Sequence, residues 1–178
     1  MSFSRLFLLC ATLAVAMSWS SDASAKKNPI RKVDNLGVGL GMTGVANGIS
    51  GKYFLARTLS VQGTFGTWGL FDDNAPQGLK LALNGDGLIE LPIIAKTEYF
   101  KVAPVLGASG WIRMATELTE IGAGAVLGVS LLMKKQPIEI TAEYRPTYGI
   151  INIPKDEALD LLGFGIHARY YFPMSRFR

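Results

Sequence analysis

Leu36-Gly-Val-Gly-Leu-Gly-Met42 sets a bulky apolar residue at every second position and glycine between them. With a side-chain period of two, all the bulk points one way and nothing larger than hydrogen points the other. That is the pattern of a strand, not of a helix. The alternation returns at Leu59-Ser-Val-Gln-Gly-Thr-Phe65, Ile89-Glu-Leu-Pro-Ile-Ile-Ala-Lys96, Ile121-Gly-Ala-Gly-Ala-Val-Leu-Gly-Val129, Ile138-Glu-Ile-Thr-Ala-Glu-Tyr-Arg145 and Leu162-Gly-Phe-Gly-Ile-His-Ala-Arg-Tyr170. Weaker versions occupy Ile49 to Ala56 and Lys101 to Arg113. Eight strands are predicted, and no segment after residue 25 sustains a helical period. Pro92 and Pro104 fall inside predicted strands, and because proline cannot donate to a ladder, each should mark a bulge or a strand end.

The two faces of these strands differ in chemistry, and the difference selects an architecture. Within the strands, charges share a face with glycine, serine and threonine: Lys52, Glu90, Lys96, Arg113, Glu120, Glu139, Glu143, Arg145 and Arg169. The opposite face carries Leu40, Val61, Ile93, Leu127, Ile140 and Ile166 among others, with Tyr99, Tyr144, Tyr170 and Phe172 towards strand ends as an aromatic girdle. A soluble ligand-binding barrel turns its apolar face inward, whereas a membrane barrel turns it to lipid. Ten residues at a tilt near 45° rise roughly 23 Å, close to the roughly 25 Å apolar band of an outer membrane. An all-β, eight-stranded, antiparallel up-and-down transmembrane barrel is therefore expected, its charged lumen filled by side chains, because eight strands enclose little more than that.

Connections alternate in length. Segments 56–58, 98–101 and 134–137 are short, while 68–87 and 146–159 are long, the asymmetry of periplasmic turns against outer loops. The long loops are acidic, with Asp72, Asp73, Asp86, Asp156 and Glu157, and the excess of basic residues lies at the other end. In these loops Leu70, Phe71, Ile150, Ile151 and Ile153 are candidate apolar contact points.

The first 25 residues read as an export address. Arg5 precedes an apolar run from Leu6 to Met17, and Ala23 and Ala25 supply the small residues of a signal-peptidase site. The expected organisation is a signal peptide over 1–25, a periplasmic segment over 26–35, the barrel over 36–172 and a tail over 173–178. The one cysteine, Cys10, lies in the address, so no disulfide is expected in the exported part. A 49% hydrophobic, 18% charged composition excludes a disordered tail, and with a mean hydropathy of +0.26 it leaves apolar surface in excess. The pI near 9.2 is not accompanied by a basic cluster interleaved with aromatics, so no nucleic-acid partner is expected.

The run Gly39 to Phe54, the segments Ile89 to Lys96 and Lys101-Val-Ala-Pro-Val-Leu-Gly107, and the ending Gly165-Ile-His-Ala-Arg-Tyr-Tyr-Phe172 resemble the small outer-membrane β-barrel proteins of the OmpA/OmpX-like type. The resemblance spans nearly all of the chain after residue 25. It implies a Gram-negative cell-envelope location, delivery by periplasmic chaperones, and insertion by the barrel-assembly machinery, which reads an aromatic-ended last strand such as the one ending at Tyr170 and Phe172. It also implies that outer-membrane lipid and lipopolysaccharide surround the barrel. Here the chain continues past that aromatic through Pro173 to Arg178, a departure from the family pattern.

Three constellations carry residue types that could do chemistry. Gly39-Leu-Gly-Met-Thr-Gly44 satisfies G-x-G-x-x-G but lacks both the following helix and an acid about 20 residues on, so no cofactor is expected. His167 falls on the lumen face, where a hydrogen-bonded structural histidine is the expected role and a lipid A-modifying active site the rival one. One histidine without a cysteine partner leaves no metal site. The functional expectation is a non-enzymatic, structural or surface-contact barrel without catalytic residues, porin-like in wall but closed in lumen, its outer partner not readable from the chain. A soluble periplasmic lipocalin-like barrel is the binding-module alternative.

Overall fold

The computed structural model describes residues 30–68, 80–116, 118–153 and 158–173. The signal-peptide reading, Ala23 and Ala25, the tail beyond Pro173, Leu70 and Phe71 lie outside them. In chain order the strands are β1 (Asn35–Thr43), β2 (Asn47–Ala56), β3 (Leu59–Thr67), β4 (Leu81–Glu90), β5 (Ala95–Lys96), β6 (Phe100–Ala115), β7 (Leu118–Met133), β8 (Ile138–Tyr144), β9 (Thr147–Ile151), β10 (Leu159–Asp160) and β11 (Phe164–Pro173). Eight of them, β1 to β4, β6 to β8 and β11, form an antiparallel wall in which each pairs with its neighbours. The wall closes where β1 meets β11, in register from Asn35 opposite Pro173 to Thr43 opposite Gly165. Closure removes the free edges that an open sheet would present.

Three short strands extend the wall. β5 continues β4 beyond Pro92, pairing Ala95 with Val102 and Lys96 with Lys101. β9 continues β8 past Pro146 along the upper part of β7, and β10 pairs with β9. Asn35 and Pro173 stand opposite each other at one end of the wall, the terminal end. The long connections leave from the opposite end.

Side chains sort across this wall by chemistry. Leu40 is 70% exposed on the outside, Phe164 65%, Ile166 55% and Leu127 50%. Inside, the buried groups include Lys52, Gln62, Asn84, Asp86, Glu90, Glu139, Glu143, Arg145, His167 and Arg169. The outer surface is apolar and the interior is charged, the inverse of a soluble barrel.

The glycines of β1 make room for that interior. A Cβ at Gly37 would stand 2.6 Å from Cζ of Tyr171, its directly opposed partner, and a Cβ at Gly41 would strike the ring of His167, likewise opposed. Large rings therefore lie flat over strand backbone instead of colliding at the axis. Gly37→Ala is expected to lower stability by about 1–3 kcal/mol through overpacking, since Tyr171 is held by Glu139 and by Phe54 and cannot retreat. Gly51→Ala is its control, with nothing nearer than the Gly37 carbonyl at 4.0 Å. Urea midpoints of the two variants check this, and equal midpoints would contradict it.

Each end carries a buried apolar cluster. At the terminal end Ile30, Phe54, Ala103, Leu132 and Tyr171 form a buried cluster with Ile93 packed against it. Ile30 reaches it because residues 30–34 cross beneath the mouth as a strap, ended by Asp34 at φ 64°, whose amide donates to the Phe54 carbonyl at 3.1 Å. At the opposite end Ala46, Trp68 and Ala82 cluster with Ala115 and Leu118.

Three sequence expectations are corrected. The fourth wall strand is Leu81–Glu90 rather than Ile89 to Lys96, so Asp86, expected in a loop, lies in the lumen. Pro92 interrupts the ladder after Glu90; beyond it Ile93, expected on the outer face, turns in to the terminal cluster, and Lys96, expected in the lumen, stands exposed on β5. Residues 146–159, expected as a loop, contain β9 and β10. Ile150 and Ile151 are exposed on β9, whereas Ile153 packs against Gly149.

Candidate functional site: the charged lumen

Alternation along β2, β3, β4, β8 and β11 aims one polar group per turn of the pleat at the axis, and these groups meet as two ionic clusters. The lower cluster centres on Lys52, whose Nζ lies 2.7 Å from Glu90 Oε1 and 2.9 Å from Glu139 Oε1. Glu90 also accepts from Ser60 at 2.7 Å and pairs with Arg31 Nη2 at 2.7 Å, while Arg31 Nη1 donates to the Leu91 carbonyl at 2.5 Å. Glu139 accepts from the Tyr171 hydroxyl and lies 4.0 Å from Arg169 Nη1.

The upper cluster centres on Arg145. Its Nη1 donates to Glu143 Oε2 at 2.5 Å, and its Nη2 donates to Asp86 Oδ1 at 2.6 Å and Asn84 Oδ1 at 3.1 Å. Gln62 crosses between the two acids, donating to Asp86 at 2.7 Å and to Glu143 at 3.1 Å. Charge-assisted bonds of this kind are the strong ones.

His167 joins the two clusters. Its Nε2 lies 3.1 Å from Glu143 Oε2 and its Nδ1 3.1 Å from Ser50 Oγ, and Arg169 Nε donates to that same Ser50 oxygen at 2.9 Å. The partners fit the tautomer with hydrogen on Nε2, so that Ser50 donates to Nδ1. Hydroxyl, imidazole and carboxylate thus stand in a row, the ingredients of an activated nucleophile. Ser50 and His167 are both wholly buried within the barrel.

Taken together, Arg31, Lys52, Arg145 and Arg169 face Asp86, Glu90, Glu139 and Glu143 across an interior with no exposed ionic group among them. Equal numbers of opposite charges leave these eight groups without net charge, and their desolvation makes the network a weak source of net stability.

Of the residues singled out from sequence, Lys52, Glu90, Glu139, Glu143, Arg145 and Arg169 belong to these clusters. Arg113 and Glu120 form their own pair at the opposite end, 3.0 Å apart and partly exposed. There the Arg113 guanidinium sits 5.0 Å from the Trp68 ring centre and 4.7 Å from that of Trp111, a cation held between two indoles. Lys96 joins neither group. Tyr170 and Phe172 touch at 4.9 Å near the terminal end, with Tyr99 exposed on the turn before β6, and Tyr144 meets Phe164 at 6.0 Å towards the other end. Sequence reading missed Asp86, Arg31, Gln62 and Ser50 as members of the network. Asp86 shares the parity of Glu90, which was the available signal; Arg31 precedes the first strand and carried none.

No family model matches the chain, and no curated protein matches it. Among solved structures, the chain is similar to Ail, the attachment invasion locus protein of Yersinia pestis, at 16% identity and a TM-score of 0.37, over 78% of this chain and 95% of that one.

Proposed function

We propose that the chain is an integral outer-membrane β-barrel of the small OmpA/OmpX-like kind, exported by a cleaved signal peptide, with a filled lumen and no enzymatic activity. Its terminal end faces the periplasm, and the connections at the opposite end carry a structural or surface-contact role. One observation carries this reading: apolar side chains cover the outside of a closed wall whose inside is ionic. Such a surface is stable against acyl chains and aggregates in water. Chaperones and the assembly machinery are the partners of its biogenesis, and lipid and lipopolysaccharide those of its mature state. The non-enzymatic part rests on the enclosure of Ser50 and His167.

Membrane fractionation tests the reading. After carbonate washing, the protein is expected in the pellet and released only by detergent; release without detergent would instead favour the soluble lipocalin-like barrel. Deleting the gene is expected to leave the lipid A mass profile unchanged, and an altered profile would restore the lipid-modifying reading.

A further inference from the structure

The terminal end carries a ring of cations. Lys32 stands on the strap before β1, Arg57 on the β2–β3 turn, Lys96 and Lys101 on either side of the β5–β6 turn, and Lys134 and Lys135 on the β7–β8 turn. Every described connection at this end contributes at least one. Five of the six are exposed and Lys101 is half-buried. None enters an ion pair among the described residues. The carboxylates nearby are Glu98, exposed on the β5–β6 turn, and Asp34, which accepts from the Tyr53 hydroxyl at 2.6 Å.

These cations also crowd one another. Lys96 and Lys101 are directly opposed in register, a like-charge pairing that costs stability when no anion intervenes. The Lys134 amide donates to the Tyr99 carbonyl at 2.9 Å, which brings the β7–β8 turn against the β5–β6 turn.

The arrangement is circumferential, not a pocket. It lies directly beyond the apolar wall, beside Tyr99, Tyr170 and Phe172, at the level where aromatic side chains mark a membrane interface. Among the described residues the opposite end shows no such ring, and its cations Arg113 and Lys80 lie over the Trp68 ring, at 5.0 Å and 5.9 Å.

We infer that this ring binds the phosphate headgroups of anionic phospholipids in the membrane leaflet that surrounds the terminal end. The inference rests on the membrane reading above and adds a lipid preference to it. Lysine and arginine beside an anionic membrane surface are attracted to it, and flexible stems let their charged heads reach phosphates around the barrel.

The test uses the full exported chain refolded into vesicles of phosphatidylcholine and phosphatidylglycerol in equal amounts, gently extracted, with the co-purifying lipid quantified. At least about a two-fold enrichment of phosphatidylglycerol is expected, since one such cation is worth roughly five-fold in partition to an anionic surface. Replacing all six cations by glutamine should abolish the enrichment. The smaller variant Lys134→Gln/Lys135→Gln, confined to an exposed turn, should reduce it while heat-modifiable gel mobility shows a folded barrel. Lys80→Gln at the other end should leave it intact. No enrichment in the parent, or undiminished enrichment in the folded turn variant, overturns the inference. Loss of the enrichment on adding inorganic phosphate at constant ionic strength also overturns it, because the ring would then be a site for the free ion. A parent chain that fails to enter vesicles of any composition refutes the membrane reading itself, which separates the two failures.

Discussion

Arg145→Ala is expected to cost the folded barrel roughly 3–5 kcal/mol, the range for removing one partner of a buried ionic group. Among the described residues Arg145 is the one guanidinium that Asp86 and Glu143 share, at 2.6 and 2.5 Å, and both acids are buried. Without it, two carboxylates remain out of water with Gln62, Asn84 and His167 as their hydrogen-bond partners among the described residues. The urea midpoint of refolded protein in vesicles reads the loss. The triple variant Arg145→Met/Asp86→Asn/Glu143→Gln should recover most of it, because what destabilises the single variant is uncompensated charge rather than missing volume. Planar-bilayer recordings of Arg145→Ala should show no new stable pore, since the lower ionic cluster and the apolar clusters at the two ends are untouched. A midpoint within experimental error of the parent, or a triple variant as weak as the single one, would contradict the ionic account.

Ile30→Asp is the second large perturbation. Ile30 is fully buried under the terminal mouth among Phe54, Ala103, Leu132 and Tyr171, and truncating such a residue alone costs about 2–5 kcal/mol. A carboxylate placed there has no partner in the cluster, so the strap is expected to leave the mouth and to take Arg31 away from Glu90. The immediate reporter is the Asp34 amide, which donates to the Phe54 carbonyl only while the strap is seated. Its hydrogen exchange should accelerate strongly in the variant, whereas amides in the β1–β11 seam keep most of their protection. Unchanged exchange at Asp34 would mean that the strap is held by something other than Ile30.

Much of the wall was legible because period two is a strong signal when one face is glycine. Leu36 to Met42 and Phe164 to Tyr170 are legible as strands because glycines in the first, and Gly165, His167 and Arg169 in the second, alternate with apolar residues. The fourth strand was misplaced for a physical reason. Asn84-Gly-Asp-Gly87 carries the residue types of a tight turn, and only tertiary closure reveals that its polar members face the lumen while its glycines face out. Pro92 then shifts the alternation, which turned Ile93 inward and put Lys96 outside the network. At 147–151 the adjacent Ile150 and Ile151 obscure any two-residue period, so the sequence of β9 reads as loop. The lumen network was legible as a set of charged residues but not as a pattern of partners. Which carboxylate meets which cation depends on register around a closed wall, and Arg31 enters only because the chain doubles back beneath the mouth.

The orientation of the wall can be measured directly. Spin labels placed one at a time at Leu40, Leu127 and Ile166 in the vesicle-embedded barrel report their exposure to oxygen, which partitions into acyl chains, and to a charged nickel complex, which stays in water. High oxygen accessibility with low nickel accessibility at all three sites is the predicted result. Labels shielded from both reagents, as in an apolar interior, or open to nickel, as on a water-facing surface, would contradict the account.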